Sequence, residues 1–355
     1  MQPTLTRLLG VEHPVIQAPI GSASCPALAA AVSNAGGLGM LALSWRKIDA
    51  IQRLIRETKA LTSQPFGVNL VLEWPQEERL RACLDEGVKI VSFFWGEPSP
   101  LWKIAHDAGA VVLHQVGSVD EALRSCNAGT DAIVAQGFEA GGHIRGTTTA
   151  AALLSGVVAI AGESGGGLRL DGARESGGGL RLDGARESGG GLRLDGAGDV
   201  PVIAAGGIAT ATDVANARAA GAVGVWVGTR FVASEESAAH PYYKQRIVEA
   251  SSADARYTLA FDGGWANAPH RALRNSTMEM WERTGARPPG DPEVVAQFSN
   301  GEPVYRFDDT PPVAGMTGDM EALALYAGES AGRVGAVEPA AKIVSELCAA
   351  FRRGY

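Results

Sequence analysis

The chain has 355 residues, 46% hydrophobic and 20% charged, with 31 Lys and Arg against 39 Asp and Glu for a net charge of −8. This composition excludes a disordered polymer, and the absence of a basic stripe argues against a nucleic-acid partner. Cys25, Cys83, Cys126 and Cys348 have neither zinc nor redox spacing, so no metal is expected and the thiols read as reduced in a cytoplasmic protein; no stretch approaches the roughly 18 apolar residues of a membrane span.

In chain order, short Val- and Ile-rich runs at 15–18, 39–43, 66–70, 89–93, 110–114, 132–135, 201–205 and 223–227 read as buried parallel strands. Segments of helical period separate them at 26–34, 47–61, 75–86, 98–107, 119–127 and 148–161, several followed by a glycine suited to a helix C-cap. Eight such units in about 240 residues fit a TIM (β/α)8 barrel. A doubly wound sheet is the rival, but QAPIGSAS after the first run lacks the G-x-G-x-x-G turn of a nucleotide-binding sheet. The expected organisation is one α/β barrel over 1–250 and a small helical accessory region over 251–355. That region, with helix-like pieces at 268–283 and 339–352, would cover the barrel mouth and send its last helix back to the barrel.

Glycine is in excess at 46 residues. Thirteen of these fall in 163–198, where ESGGGLRLDGAR is repeated three times in tandem, the last copy ending in Gly. Ordering 36 residues would cost roughly 1–2 kcal/mol each, more than six leucines return at about 2 kcal/mol each. The repeat therefore reads as a loop inserted on the N-terminal face, away from the catalytic end of a barrel; a partner-docking arm is the alternative.

The chemistry is concentrated in AQGFEAGGHIRGTTT, residues 135–149, directly after the sixth strand. Gly141 and Gly142 would let backbone approach a flat ligand, and His143 beside them is the candidate base at the barrel mouth. AAGGIA at 204–209 and WVGTRF at 226–231 follow the seventh and eighth strands, where barrels commonly hold a phosphate on backbone N–H groups. Gly206, Gly207, Gly228 and Thr229 are the expected cradle. Two G-x-S-x-G matches, at 162–166 and 328–332, neither follow a strand nor open a helix as a hydrolase elbow requires. Tyr242, Tyr243 and Trp265 read as packing residues.

Taken together, QAPIGSAS, SNAGGLGML, FGVNLVL, AQGFEAGGHIRG, PVIAAGGIA, VGTRFVASEES and MTGDMEALALYAGESAG resemble the nitronate monooxygenase family, formerly the 2-nitropropane dioxygenases, over nearly the whole chain apart from the repeat. The resemblance implies an FMN-dependent barrel oxidoreductase. FMN would be held by Ala18, Pro19, Ile20, Asn69, Gln136, Gly141, Gly142, Gly206, Gly207 and the turn Trp226, Val227, Gly228 and Thr229, with His143 as catalytic base. It implies oxidation of alkyl nitronates of the propionate 3-nitronate type, or of nitroalkanes, by O2 to a carbonyl compound and nitrite. Gln136 and Glu139 are expected to bear on the subfamily. A similar EAGGH segment occurs in flavin-dependent enoyl reductases, so an NAD(P)H-dependent reductase of enoyl thioesters or quinones is the second expectation, and a non-catalytic flavoprotein or scaffold the third. No membrane partner is expected, and homo-oligomerisation is compatible with this sequence.

Overall fold

The computed structural model describes residues 5–97, 100–163, 200–285, 287 and 292–352; the repeat expected to form a loop on the N-terminal face, 164–198, lies outside the described residues. Eight apolar runs form the strands β1 (Val15–Gln17), β2 (Gly39–Ala42), β3 (Phe66–Val71), β4 (Ile90–Phe94), β5 (Val111–Val116), β6 (Ala132–Gln136), β7 (Val202–Ala205) and β8 (Gly224–Val227). All pair in parallel in the order β1-β8-β7-β6-β5-β4-β3-β2. The ring closes where Leu38 donates to the Val15 carbonyl and accepts from Gln17 N–H, both at 2.9 Å. Gln17 fastens this seam: its buried amide accepts from Met40 N–H at 2.9 Å and donates to Ser24 Oγ at 3.0 Å. The fold is thus the expected TIM barrel.

Strand alternation sorts the side chains into two apolar layers. Ile16, Met40, Ile90, Leu113, Val134, Ile203 and Trp226 come from seven different strands yet pack into one cluster, which is possible only inside the ring. Leu5 and Leu9 of the first helix, Leu5–Leu9, join that cluster and plug the N-terminal end. Neighbouring strand residues such as Val68, Leu70, Val91 and Phe93 pack outward against helices Ile48–Leu61 and Glu77–Asp85. Helices begin where the sequence supplies caps: Ser118 accepts from Glu121 N–H, and Thr210 forms a capping box with Asp213, each cap contributing about 1 kcal/mol.

The accessory region differs from its helical expectation. It contains helices Ser276–Thr284 and Ala340–Arg352, but between and around them lie two three-stranded antiparallel sheets. Residues 268–275, read as the start of a helix, include the strand His270–Leu273, which pairs with Ala255–Thr258 on one edge and with Gly142–His143 of the barrel on the other. All four of its residues are buried, and that two-sided pairing outweighs local helical period. Helix Ala340–Arg352 buries Ile343, Val344 and Leu347 in the same cluster as Leu28, Val214 and Phe231 of the barrel layer. Among the described residues no helix is long and apolar enough to cross a membrane.

Candidate active site

The loop after β6 is held from both sides. At the strand end, the buried Gln136 amide donates to the His143 carbonyl at 2.9 Å and accepts from Arg145 N–H at 3.4 Å. Opposite, Gly142–His143 pairs with His270 and Arg271, and Arg271 Nη2 donates to the Phe138 carbonyl at 2.8 Å. The two glycines serve separate purposes. A Cβ on Gly141 would lie 2.3 Å from Gly328 N, so the close approach expected for a ligand is made by the protein's own tail. Gly142 sits at φ +72 with nothing within 4 Å of a built Cβ, a left-handed position beside open space. Glu139 points its carboxylate at Ala150 N–H, 2.7 Å away, and so caps the helix Ala150–Glu163.

His143 presents one face to a cavity and is otherwise enclosed by rings: Trp265 at 4.2 Å between centroids, His270 at 5.5 Å, Tyr326 at 5.6 Å and Trp95 at 6.2 Å. Its Nδ1 is buried without a hydrogen-bond partner among the described residues. Burial, seconded by the neighbouring His270, pushes its pKa down to about 3, against a small upward pull from the Ala268 carbonyl. His270 is held down to about 4 by burial. The contacts of His270 fix its tautomer, because Nε2 accepts from Phe261 N–H at 3.3 Å and leaves Nδ1 to donate to the Ala268 carbonyl at 2.9 Å. Both imidazoles are therefore neutral at physiological pH. Trp95, stacked edge-on against Trp265 at 4.6 Å, occupies the left-handed region at φ 60, a strained conformation of the kind held in place at functional sites.

The cavity in front of His143 measures about 510 Å3. It gathers Ala18, Pro19, Ile20, Asn69, Gln136, Gly141, Gly142, His143, Gly206, Gly207, Trp226, Gly228 and Thr229 from the ends of five strands. Val227 is the exception. Alternation turns Trp226 into the ring and Val227 outward into the helix layer, where it is 1% exposed; only its carbonyl is used here, accepting from Ala18 N–H at 2.9 Å. Gly206 and Gly207 have φ +96 and +71, and Gly228 caps the short helix Thr229–Val232. Arg333 secures the Gly207 carbonyl from the tail and also contacts Asp213 at 3.1 Å.

Several lining residues carry no motif. Gln115 is two residues beyond the inward-facing Leu113 of β5, and a buried amide at the C-terminal end of an inward register points into the mouth; this was the one legible signal. Asn69, by contrast, was expected from the FGVNLVL segment; its Oδ1 accepts from Ser92 Oγ at 2.7 Å, which turns its NH2 toward the cavity. From the accessory region come Trp265, read from sequence as a packing residue, and Tyr326, whose hydroxyl donates to the Asp309 carbonyl at 3.2 Å. Burial and then Asp308 raise the Asp309 carboxyl. Tyr257 instead lies 40% exposed against Phe138, outside the cavity.

A polar-ended cavity at the C-terminal mouth of a parallel barrel, with a neutral imidazole on its wall, has the architecture of a barrel enzyme that binds a substantial ligand at its strand ends. The chain belongs to the nitronate monooxygenase family, whose model matches residues 2–79 and 72–350; this is a family of flavin-dependent oxidoreductases. It is 34% identical over 307 residues to a nitronate monooxygenase of Pseudomonas aeruginosa, covering 74% of this chain and 78% of that one. It is 32% identical over 287 residues to the (3aS,4S,5R,7aS)-5-hydroxy-7a-methyl-1-oxo-octahydro-1H-indene-4-carboxyl-CoA dehydrogenase of Mycobacterium tuberculosis, covering 81% and 70%. Among solved structures, FabK from Thermotoga maritima superposes with a TM-score of 0.72 at 30% identity, covering 98% of this chain and 95% of that one.

Proposed function

We propose that this enzyme oxidises an alkyl nitronate of the propionate 3-nitronate type with O2 to a carbonyl compound and nitrite, using FMN, and that it accepts the parent nitroalkane through deprotonation by His143. The observation that carries the reading is the His143 imidazole, neutral and set in the cavity wall, with no carboxylate against it among the described residues. The residues fit FMN. Gly206 and Gly207, left-handed, and the start of the Thr229–Val232 turn leave backbone room for a phosphate, while Ala18, Pro19, Ile20, Asn69, Gln115 and Gln136 offer apolar faces and amide groups to a flat ring. When bound, FMN supplies the electron acceptor.

The chain supplies the environment. His143 takes the proton from the carbon bearing the nitro group, and the nitronate anion created in the same step pairs with the new imidazolium, offsetting the cost of charging a buried ring. A preformed nitronate skips that step. Trp265, Phe94 and Tyr326 keep bulk water from the reacting carbon. The second reading, NAD(P)H-dependent reduction of an enoyl thioester or quinone, draws on the likeness to a protein named as a carboxyl-CoA dehydrogenase.

The test is the variant His143→Ala assayed on both forms of one substrate. Activity on the neutral nitroalkane is expected to fall by about 100-fold or more, with activity on the preformed nitronate within a few-fold of the parent. Equal loss on both would remove His143 from the base role. Anaerobic bleaching of the bound flavin by a nitronate but not by NAD(P)H separates the first reading from the second.

A further inference from the structure

The rim of the cavity between β1 and β2 carries a cation that the fold does not neutralise. Arg46 lines the cavity beside Trp45. Its Nη2 donates to Ser22 Oγ at a long 3.4 Å, its Nε is buried with no hydrogen-bond partner, and among the described residues no carboxylate pairs with it. Arg230 and Arg271 also bury an unpartnered Nε, but they and Arg145 each face a glutamate, as Arg46 does not among the described residues. A part-buried guanidinium with no anion gains from a ligand that supplies one. Asp309 also lines the cavity but forms no ion pair with Arg46; its carboxylate lies against Gly264, where a built Cβ would come within 2.4 Å of it.

Between this cation and His143 the wall is aromatic. Trp74 packs on Trp265 at 5.1 Å and Trp265 on His143 at 4.2 Å, with Phe94 and Phe298 also facing the cavity. Trp45 remains 46% exposed at the rim, an apolar surface open beside the cavity. Indole faces of this extent add apolar contact for a longer member of the same carboxylate-bearing nitronate class than a three-carbon chain can reach.

We propose that Arg46 is the specificity-determining residue for a substrate with an extended apolar body, which lies along the Trp74–Trp265 wall and ends in a carboxylate held by the guanidinium. This rests on the nitronate reading for the reaction and on the cavity alone for the recognition. The FMN-loaded enzyme is titrated with octanoate, 1-octanol and butyrate, none of which carries a nitro group, with tryptophan fluorescence and calorimetry as readouts. Octanoate is expected to bind more tightly than either of the others. Arg46→Leu should weaken octanoate by about 30-fold and leave 1-octanol unchanged, while Arg46→Lys should recover part of the difference; Arg46→Gln serves if the leucine variant does not fold. In turnover, the same variants should lower kcat/KM on the nitronate of 8-nitrooctanoate but not on that of 1-nitrooctane. Equal weakening of octanoate and octanol, butyrate binding as tightly as octanoate, or loss of FMN in place of loss of discrimination would each overturn the assignment. Failure of every nitronate to reduce the flavin would defeat the reaction reading while leaving the octanoate result to stand or fall separately.

Discussion

Gly206, Gly207 and Gly228 on the barrel side of the cavity, and Trp265, Tyr326 and Asp309 on the accessory side, reach the same space by different routes. The barrel side offers backbone and amides at the ends of parallel strands, in positions that eight-fold closure makes almost obligatory. The accessory side offers rings and a carboxyl from loops, positioned by pairing of His270–Leu273 against Gly142–His143 and by the Gly141–Gly328 contact. A barrel mouth built this way can keep one floor for a common cofactor and change its roof to suit the substrate. His143 stands at the joint between the two, which is why its environment depends on both.

The largest expected effect divides stability between the two sides by pH. His114, in β5, is pushed down to about 4 by burial, and His270, in the accessory sheet, to about 4 likewise. Free imidazole titrates near 6.5, so as pH falls below that value the unfolded chain binds protons that the folded chain refuses, and stability drops until the folded pKa is reached. Each imidazole should withdraw about 2 kcal/mol by pH 5, so the two together withdraw about 4 kcal/mol. Denaturant midpoints at pH 7, 6 and 5 for the parent, His114→Gln and His270→Gln read this out. Each variant should show a shallower fall, and a parent midpoint that does not move between pH 7 and 5 would mean these rings are solvated.

A smaller effect tests the joint. Gly141→Val places a side chain 2.3 Å from Gly328 N and 2.5 Å from the Ala327 carbonyl carbon, backbone atoms that cannot rotate away. A loss of about 3 kcal/mol is expected, with near-UV circular dichroism of the Trp265 cluster reduced. Retention of that signal at full stability would show that roof and floor are not clamped here.

The smallest effect belongs to the barrel alone. Thr210→Ala removes the capping box of helix Ala211–Ala219 and should cost about 1 kcal/mol without altering Trp265 fluorescence. A fluorescence change as large as that of Gly141→Val would erase the distinction between the two sides.

The barrel was legible because its signal is periodic and local. Runs such as 39–43 and 66–70 are buried on both faces, and the resulting β2 and β3 lie within a residue or so of their expected bounds. The glycines after strands seven and eight, and His143 after strand six, followed from the strand count. In the accessory region the last helix was legible, expected at 339–352 and found at Ala340–Arg352, but the sheets were not. The residues 268–275 carry helical period, yet the strand His270–Leu273 is fixed by partners at 142–143 and 255–258, and no local pattern encodes the pairing of His270 with His143, 127 positions away.

Sequence by itself determined that this chain closes eight parallel strands, that glycines and a histidine stand at their C-terminal ends, and that it resembles the nitronate monooxygenases. Only the tertiary structure decided that Val227 turns outward, that Gly141 makes room for the protein's own tail, that His143 is walled in by Trp265, Trp95, His270 and Tyr326, and that Arg46 faces the cavity without an anion. The physical reason is range. Burial of alternating side chains is a property of neighbours along the chain, whereas desolvation, ring contacts and the pairing of charges are properties of residues that meet only after the chain has folded.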